Sequence, residues 1–400
     1  MPHFKDRLHN DLDKALESAV NVAGGIPGVV AMLTDKQANI YEGALGKLSL
    51  DCDEKINTES VFNALSTTKA LVGALLFTLI EENIVKLDDL AKEYLPEIAD
   101  IEVLEGFDKD SKPITRKAKN DITLRHLVLH TAGFGYEFFN KEDLAYRQYY
   151  SIPSVVTNTL ESLQSVLLFE PGTSWNYGIN IDWLGLVLEK ATSKRLSVLL
   201  KEKILEPCNM RDTVFDLTDS LKQRLAIIHV RDQSGKLSPA RDITLPNPSP
   251  IDMGGHGLHC TVTDYMKFIR MILNDGVGEN GRVLSPQSIN FMCMNGIGTL
   301  RCQGWDSAIP LFTNKGEFYP STQKSWGYTF QINEEMTNTG RPAHTIMWAG
   351  ISNLFYFIDR KNGIGGFWAS EVLPFMDPSS YGGFLQFESS IYQNLLDKKV

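Results

Sequence analysis

The sequence predicts an α+β fold, a mostly antiparallel sheet flanked by helices with a mostly helical segment inserted. Three observations point there. Strand-type sequence lies at both ends of the chain, helix-type sequence fills the middle, and 400 residues suffice for one large domain or two ordinary ones. Residues 12–22 suit an amphipathic helix. The β-rich runs 28–33 and 40–46 flank the turn-prone 35–39 and read as a hairpin. Over 66–82, Leu71, Val72, Leu75, Leu76, Leu79 and Ile80 recur at helical spacing. Helices are expected at 122–130, 160–169, 182–190 and 196–205. Another is expected at 261–274, with Thr263 and Asp264 as N-caps. Strands return at 325–333, 344–348, 354–358 and 365–370. This order predicts a sheet domain built from 1–84 and 255–400, and a mostly helical domain over 85–254.

Composition excludes several functions. Hydrophobic residues make up 43% and charged residues 22%, a balance that favours a packed core over disorder. The formal net charge of −10 argues against nucleic acid and against an anionic membrane surface. The longest nearly apolar run, 70–80, is too short for a span of about 20 residues. The charged N-terminus lacks the apolar stretch of a secretory signal. The C-terminal Asp397-Lys398-Lys399-Val400 matches neither a peroxisomal nor an ER-retention address. Five scattered cysteines, Cys52, Cys208, Cys260, Cys293 and Cys302, read as reduced thiols in a cytoplasmic protein. No CxxC or HExxH occurs. His256 and His259 sit three apart without nearby carboxylates in sequence, so neither a metal site nor a cofactor is expected.

A GxSxG elbow is absent, which leaves SxxK as the serine option. A lysine one helical turn after a serine shares its face and can take the hydroxyl proton as the serine attacks a carbonyl. The motif occurs at Ser66–Lys69 and at Ser321–Lys324. Ser66 opens a long apolar helix, whose N-terminus favours developing negative charge. Ser321 follows Pro320 in a turn-rich stretch. The plain alternative makes Ser66 a helix N-cap and Lys69 a solvated helix residue. Tyr177, in PGTSWNYGINIDWLG, can relay a proton to a leaving group, or can simply sit in an aromatic core. HTIMWAG ends a strand on Trp348, Ala349 and Gly350, and the N–H of Ile351 with that of Ser66 can form an oxyanion hole. An ordinary strand glycine is the alternative there.

With these pieces assembled, the sequence resembles the serine β-lactamase and penicillin-binding-protein superfamily. Three ordered motifs carry the likeness: Ser66-x-x-Lys69, Tyr177-Gly178-Ile179, and Trp348-Ala349-Gly350 in place of Lys-Thr-Gly. Connecting segments agree from about residue 10 to 395, among them ITLRHLVLHTAGF and GGHGLHCTVTDYMKF. Within the superfamily it is most similar to the class C-type branch of family VIII carboxylesterases and fungal lovastatin-type acyltransferases. The resemblance implies a β-lactamase/transpeptidase-like fold with the site in a cleft between the two domains. It implies an acyl-enzyme on Ser66, with Lys69 and Tyr177 sharing the acid/base work. Trp348, Gly350 and Ile351 would line the acyl pocket and oxyanion hole.

The departures carry meaning. An indole replaces the cation of Lys-Thr-Gly, which disfavours carboxylate-bearing substrates and favours an apolar ester or thioester. Tyr-Gly-Ile lacks the amide of Tyr-x-Asn, for which Asn180 is the neighbouring substitute. The expected partners are a small-molecule acyl donor and an alcohol acceptor or water, and an acyl-carrier protein is compatible with a thioester donor. The alternatives are a β-lactamase or D-peptidase-like hydrolase, and a non-catalytic structural or regulatory homologue.

Overall fold

The computed structural model describes residues 2–397; the tail residues 398–400, read above for a targeting address, lie outside it. The elements that position the site begin with α1 (Pro2–Val20), β1 (Gly28–Thr34), β2 (Asn39–Gly46) and β3 (Val61–Asn63). Helices α2 (Thr68–Glu81) and α3 (Asn180–Thr192) follow, then β4 (His259–Thr261) and α4 (Val262–Leu273). Five strands come next: β5 (Lys324–Trp326), β6 (Gln331–Asn333), β7 (Thr345–Gly350), β8 (Leu354–Asp359) and β9 (Ile364–Ala369). Helix α5 (Pro378–Asp397) ends the described chain.

Strands from both ends of the sequence form one seven-stranded sheet in the order β5-β6-β7-β8-β9-β1-β2. All of its pairings are antiparallel, and β1 joins the two ends by pairing Val30 with Ala369. Every residue of β1, β7, β8 and β9 is buried, as a sheet covered on both faces requires. Alternation along β9 assigns the covers. Phe367 meets Tyr265 of α4 at 4.7 Å between ring centroids, whereas Trp368 meets Phe387 of α5 at 6.1 Å. α1 packs beside α5.

Three expectations need correction, and one helix stands where none is expected. Residues 160–169 form no helix beyond a single turn at Glu161–Leu163. Their backbone turns outward: Leu167 N–H donates to Glu102 O, and Leu167 O accepts from Leu104 N–H. The expected strand 325–333 is instead the β5–β6 hairpin, closed by Gly327 N–H on Phe330 O. α4 is capped by Thr261, whose side chain accepts from Asp264 N–H, and not by Thr263 or Asp264. Finally, α5 was not expected, because Gly382 and Gly383 weaken its helical signal.

A buried ion pair ties α5 to the turn between β6 and β7. Arg341 and Glu388 are both fully buried and 3.1 Å apart, and Tyr319 and Thr339 also donate to Glu388. Removing one partner leaves an uncompensated buried charge. Glu388→Ala is therefore expected to lower stability by about 3–5 kcal/mol, read from the urea midpoint, with a smaller loss in the Arg341→Met/Glu388→Leu double variant.

Candidate active site

Ser66 sits where a loop becomes α2. A single 3₁₀ turn, Leu65–Thr67, precedes the helix, and Leu65 carries φ 46°. That left-handed backbone costs a branched residue on the order of 1–3 kcal/mol and turns Ser66 toward the cleft. Ser66 is not a cap: α2 starts from Thr67, whose side chain makes no capping bond. One turn on, Lys69 is fully buried, which removes its reading as a solvated residue. Its Nζ lies 3.3 Å from Ser66 Oγ, 3.0 Å from Tyr136 Oη and 2.7 Å from Gly255 O. Burial lowers its pKa to about 7, although Asp182 pulls the other way.

Hydrogen accounting around Lys69 gives a direction to the proton. Gly255 O can only accept. Tyr136 Oη has its proton directed at Asp182 Oδ2, 3.4 Å away, so toward Lys69 it accepts too. A neutral amine has two N–H groups for these two acceptors, and its lone pair then faces the Ser66 hydroxyl. Asp182, from α3, accepts Gly255 N–H at 2.8 Å. A Cβ at Gly255 would lie 2.4 Å from that carboxylate, so only glycine permits the contact. Burial pushes the Asp182 carboxyl up, but His256, Lys69 and the Gly255 N–H outweigh it and hold it below the usual value.

Tyr177 reaches the same serine from the other side. Its hydroxyl accepts from Trp348 Nε1–H at 3.0 Å and is hydrogen-bonded with Ser66. Burial raises its pKa despite both bonds. Lys69 Nζ lies 4.7 Å from the Tyr177 ring centroid. Beneath that ring lies His130, at 4.8 Å. Asn180 does not enter the cleft: it is fully buried and its amide meets His130 Nδ1 at 2.9 Å. The amide that lines the cleft beside Tyr177 is Asn176.

Two pockets meet at Ser66. One, of about 250 Å³, is walled by Phe139, Trp175, Tyr177, Trp305 and Trp348, with Asn140, Asn176 and Gln331 among them. The other, of about 220 Å³, is apolar, lined by Leu65, Val155, Val156, Ile228, Leu245, Phe312 and Leu373. Ile351 borders both, at the end of β7. Gly350 lets β7 approach the serine turn, since a Cβ there would lie 3.1 Å from Ala64 O. Ser66 and Ile351 therefore border the same two pockets.

The second SxxK is not a pair. Ser321 is exposed, and Lys324 Nζ is spent on Tyr319 O, Thr322 O and Glu317. His256 and His259 part company as well: His259 Nδ1 meets Phe215 O, and His256 Nε2 meets Asn158 Oδ1. Among the described residues no three His, Cys, Asp or Glu side chains converge to hold a metal ion. Tyr136, Asp182 and His256 were missed as site residues, although each lies within or beside a segment that carried the resemblance.

A family model described as Beta-lactamase matches residues 12–382. The chain is 29% identical over 382 residues to lovastatin esterase of Penicillium rubens, covering 91% of this chain and 93% of that one. It is 30% identical over 299 residues to acyltransferase mokF of Monascus pilosus, covering 72% and 70%. Among solved structures, a mutant of simvastatin synthase from Aspergillus terreus superposes with TM-score 0.83 at 25% identity, covering 96% and 97%. Ser66 at a helix start, a buried lysine and a tyrosine in a cleft beside an antiparallel sheet thus have a family: the chain belongs to the beta-lactamase family. It is a serine acyltransferase or esterase, working through an acyl-enzyme.

Trp348→Phe keeps an aromatic ring against Tyr177 and Trp326, each 4.6 Å from the indole between centroids, but removes the N–H on Tyr177. Acylation by a p-nitrophenyl ester is expected to slow by roughly 10-fold to 100-fold, as for loss of one buried hydrogen bond to a reacting group, with the melting temperature little changed.

Proposed function

We propose that the protein moves an acyl group from an ester or thioester to an alcohol, with Ser66 as nucleophile. The observation that carries this reading is the pair of pockets meeting at Ser66. In the first half-reaction Lys69 takes the Ser66 proton as Oγ attacks the carbonyl. The N–H groups of Ser66 and Ile351 hold the oxyanion, with Gly350 giving the close approach. Tyr177 gives a proton to the departing oxygen or sulfur. In the second, Tyr177 takes the proton of the incoming alcohol, and Lys69 returns one to Ser66.

The role of Tyr177 orders the pockets. It lines the aromatic pocket and not the apolar one. The leaving and entering alcohols therefore occupy the aromatic side, with Trp348, and the acyl chain extends between Leu65, Val155 and Leu373. Water competes as acceptor, and the aromatic walls favour a larger alcohol that displaces it. Similar proteins are named as a lovastatin esterase and as acyltransferases, which supports both outcomes for the same acyl-enzyme. An acyl-carrier protein fits as donor of a thioester. Residues 1–84 with 255–400, and 85–254, would be the two domains that close this cleft, since both pockets draw side chains from each. Five unpaired cysteines suit a cytoplasmic setting, and among the described residues no helix is long and apolar enough to cross a membrane.

Intact-protein mass after brief exposure to a short-chain p-nitrophenyl ester tests the reading. Wild type should gain one acyl group and Ser66→Ala none. Decay of the adduct should quicken with a bulky alcohol; decay indifferent to every alcohol would make the enzyme a hydrolase. Since the base form of Lys69 exists above its pKa, kcat/KM should fall tenfold per pH unit below about 7. Lys69→Ala should lose about 10²-fold to 10⁴-fold and flatten that limb.

A further inference from the structure

Four amide side chains line the aromatic pocket beside Tyr177, and one of them has no partner. Asn140 Oδ1 accepts from Tyr136 N–H at 3.1 Å, and its Nδ2 donates to Asn176 Oδ1 at 3.3 Å. Asn176 Nδ2 donates to Phe134 O at 3.0 Å and to Tyr177 O at 3.2 Å. Gln303 is exposed, so water serves it. Gln331 differs from all three. It is only 3% exposed, its Oε1 is sealed without a partner, and its Nε2 makes no hydrogen bond among the described residues. Its backbone is fixed, because β6 runs between β5 and β7 and sets Gln331 opposite Trp326 and Met347. A buried amide without a partner is less favourable than a hydrocarbon of the same shape. This position therefore costs the fold free energy unless a molecule in the pocket meets the amide.

We infer that Gln331 is a specificity-determining residue: its amide takes a second hydroxyl on the acceptor, so the pocket selects diols over alcohols whose remainder is hydrocarbon. The inference rests on the reading that the entering alcohol occupies the aromatic pocket beside Tyr177. A hydroxyl both donates and accepts, so it pairs with whichever end of the amide is turned to it. A carboxylate only accepts, and Glu142 and Asp306 in the same lining oppose its charge. The walls from Phe139, Trp305 and Trp348 are aromatic, so one placed amide suffices to orient the guest between them. A hydrocarbon alcohol would cover the same rings and leave the amide unpaired, which is the stronger form of discrimination open to a buried polar group.

The test is alcoholysis of the acyl-enzyme that the full chain forms with a short-chain p-nitrophenyl ester, followed by intact-protein mass. Cyclohexanol is compared with the isomeric cyclohexanediols, and each rate is taken relative to decay of the same adduct in water. Wild type should prefer at least one diol to cyclohexanol by roughly tenfold, the worth of one buried hydrogen bond. Gln331→Met keeps the length of the side chain and loses the amide. Its preference should fall to the statistical advantage of carrying two reactive hydroxyls. Equal rates for cyclohexanol and every diol in wild type overturn the inference, and so does a preference that Gln331→Met retains in full. Should Gln331→Met fail to fold, as judged by thermal melting, Gln331→Asn decides. It withdraws the amide by one methylene and should lose most of the preference; an unchanged preference overturns the inference. Decay that neither cyclohexanol nor any diol quickens overturns the transfer reading itself, and the inference with it.

Discussion

A buried amine with only neutral groups against it is the constraint around which the cleft is built. An ammonium stripped of water costs several kcal/mol unless a counter-charge stands beside it, so Lys69 loses its proton near neutrality. The surroundings preserve that state. A backbone carbonyl and a phenol take its two N–H groups, and the one carboxylate within range, Asp182, is held a step away behind Tyr136. Gly255 serves both sides, its carbonyl on Lys69 and its N–H on Asp182. A side chain at that position would fall on the carboxylate and undo the separation.

The same constraint explains what the sequence disclosed. The β1–β2 hairpin, α2, α3, α4 and the last strands follow hydrophobic period, and they are found within a few residues of their expected places. Residues 160–169 fail because their apolar side chains suit a helix while their backbone partners, Glu102 and Leu104, lie far off in sequence. α5 hides its helical character behind Gly383, which is small because Trp368 and Ala19 press on it. Ser66, Lys69 and Tyr177 are legible because the covalent chemistry proposed for them demands particular residue types at particular spacings. Tyr136, Asp182 and His256 are not, because their places beside the lysine follow from burial and long-range hydrogen bonds. The pairing of Asn180 with His130 could not be read either, since it turns on which way a buried amide faces.

Trp348 changes the chemistry more than its place in the cleft. A lysine there would lower the Tyr177 pKa by charge, whereas an indole N–H offers a hydrogen bond and no charge. Burial dominates, and Tyr177 remains a phenol at neutral pH. A phenol can protonate a leaving group, and a neutral Lys69 can deprotonate Ser66. In the proposed mechanism these two groups, each neutral at rest, divide acid and base work between them. Position 348 itself offers no cation to a substrate carboxylate; the pocket's one lysine, Lys141, lies elsewhere in a lining that mixes aromatic rings with Glu142, Asp306 and amides.

Division of labour also bears on the acceptor. The acyl-enzyme persists only if water cannot reach its carbonyl in an activated pose. In the proposed reaction activation runs through Tyr177, which lines the aromatic pocket and not the apolar one. A small water gains little from those rings, while a large alcohol buries apolar surface at about 25 cal/mol per Å². On the proposed reading, the preference between acceptors is set by the area that Trp175, Trp305 and Trp348 offer, and not by the serine machinery. An esterase and an acyltransferase can then share Ser66, Lys69 and Tyr177 unchanged and differ in the walls of one pocket.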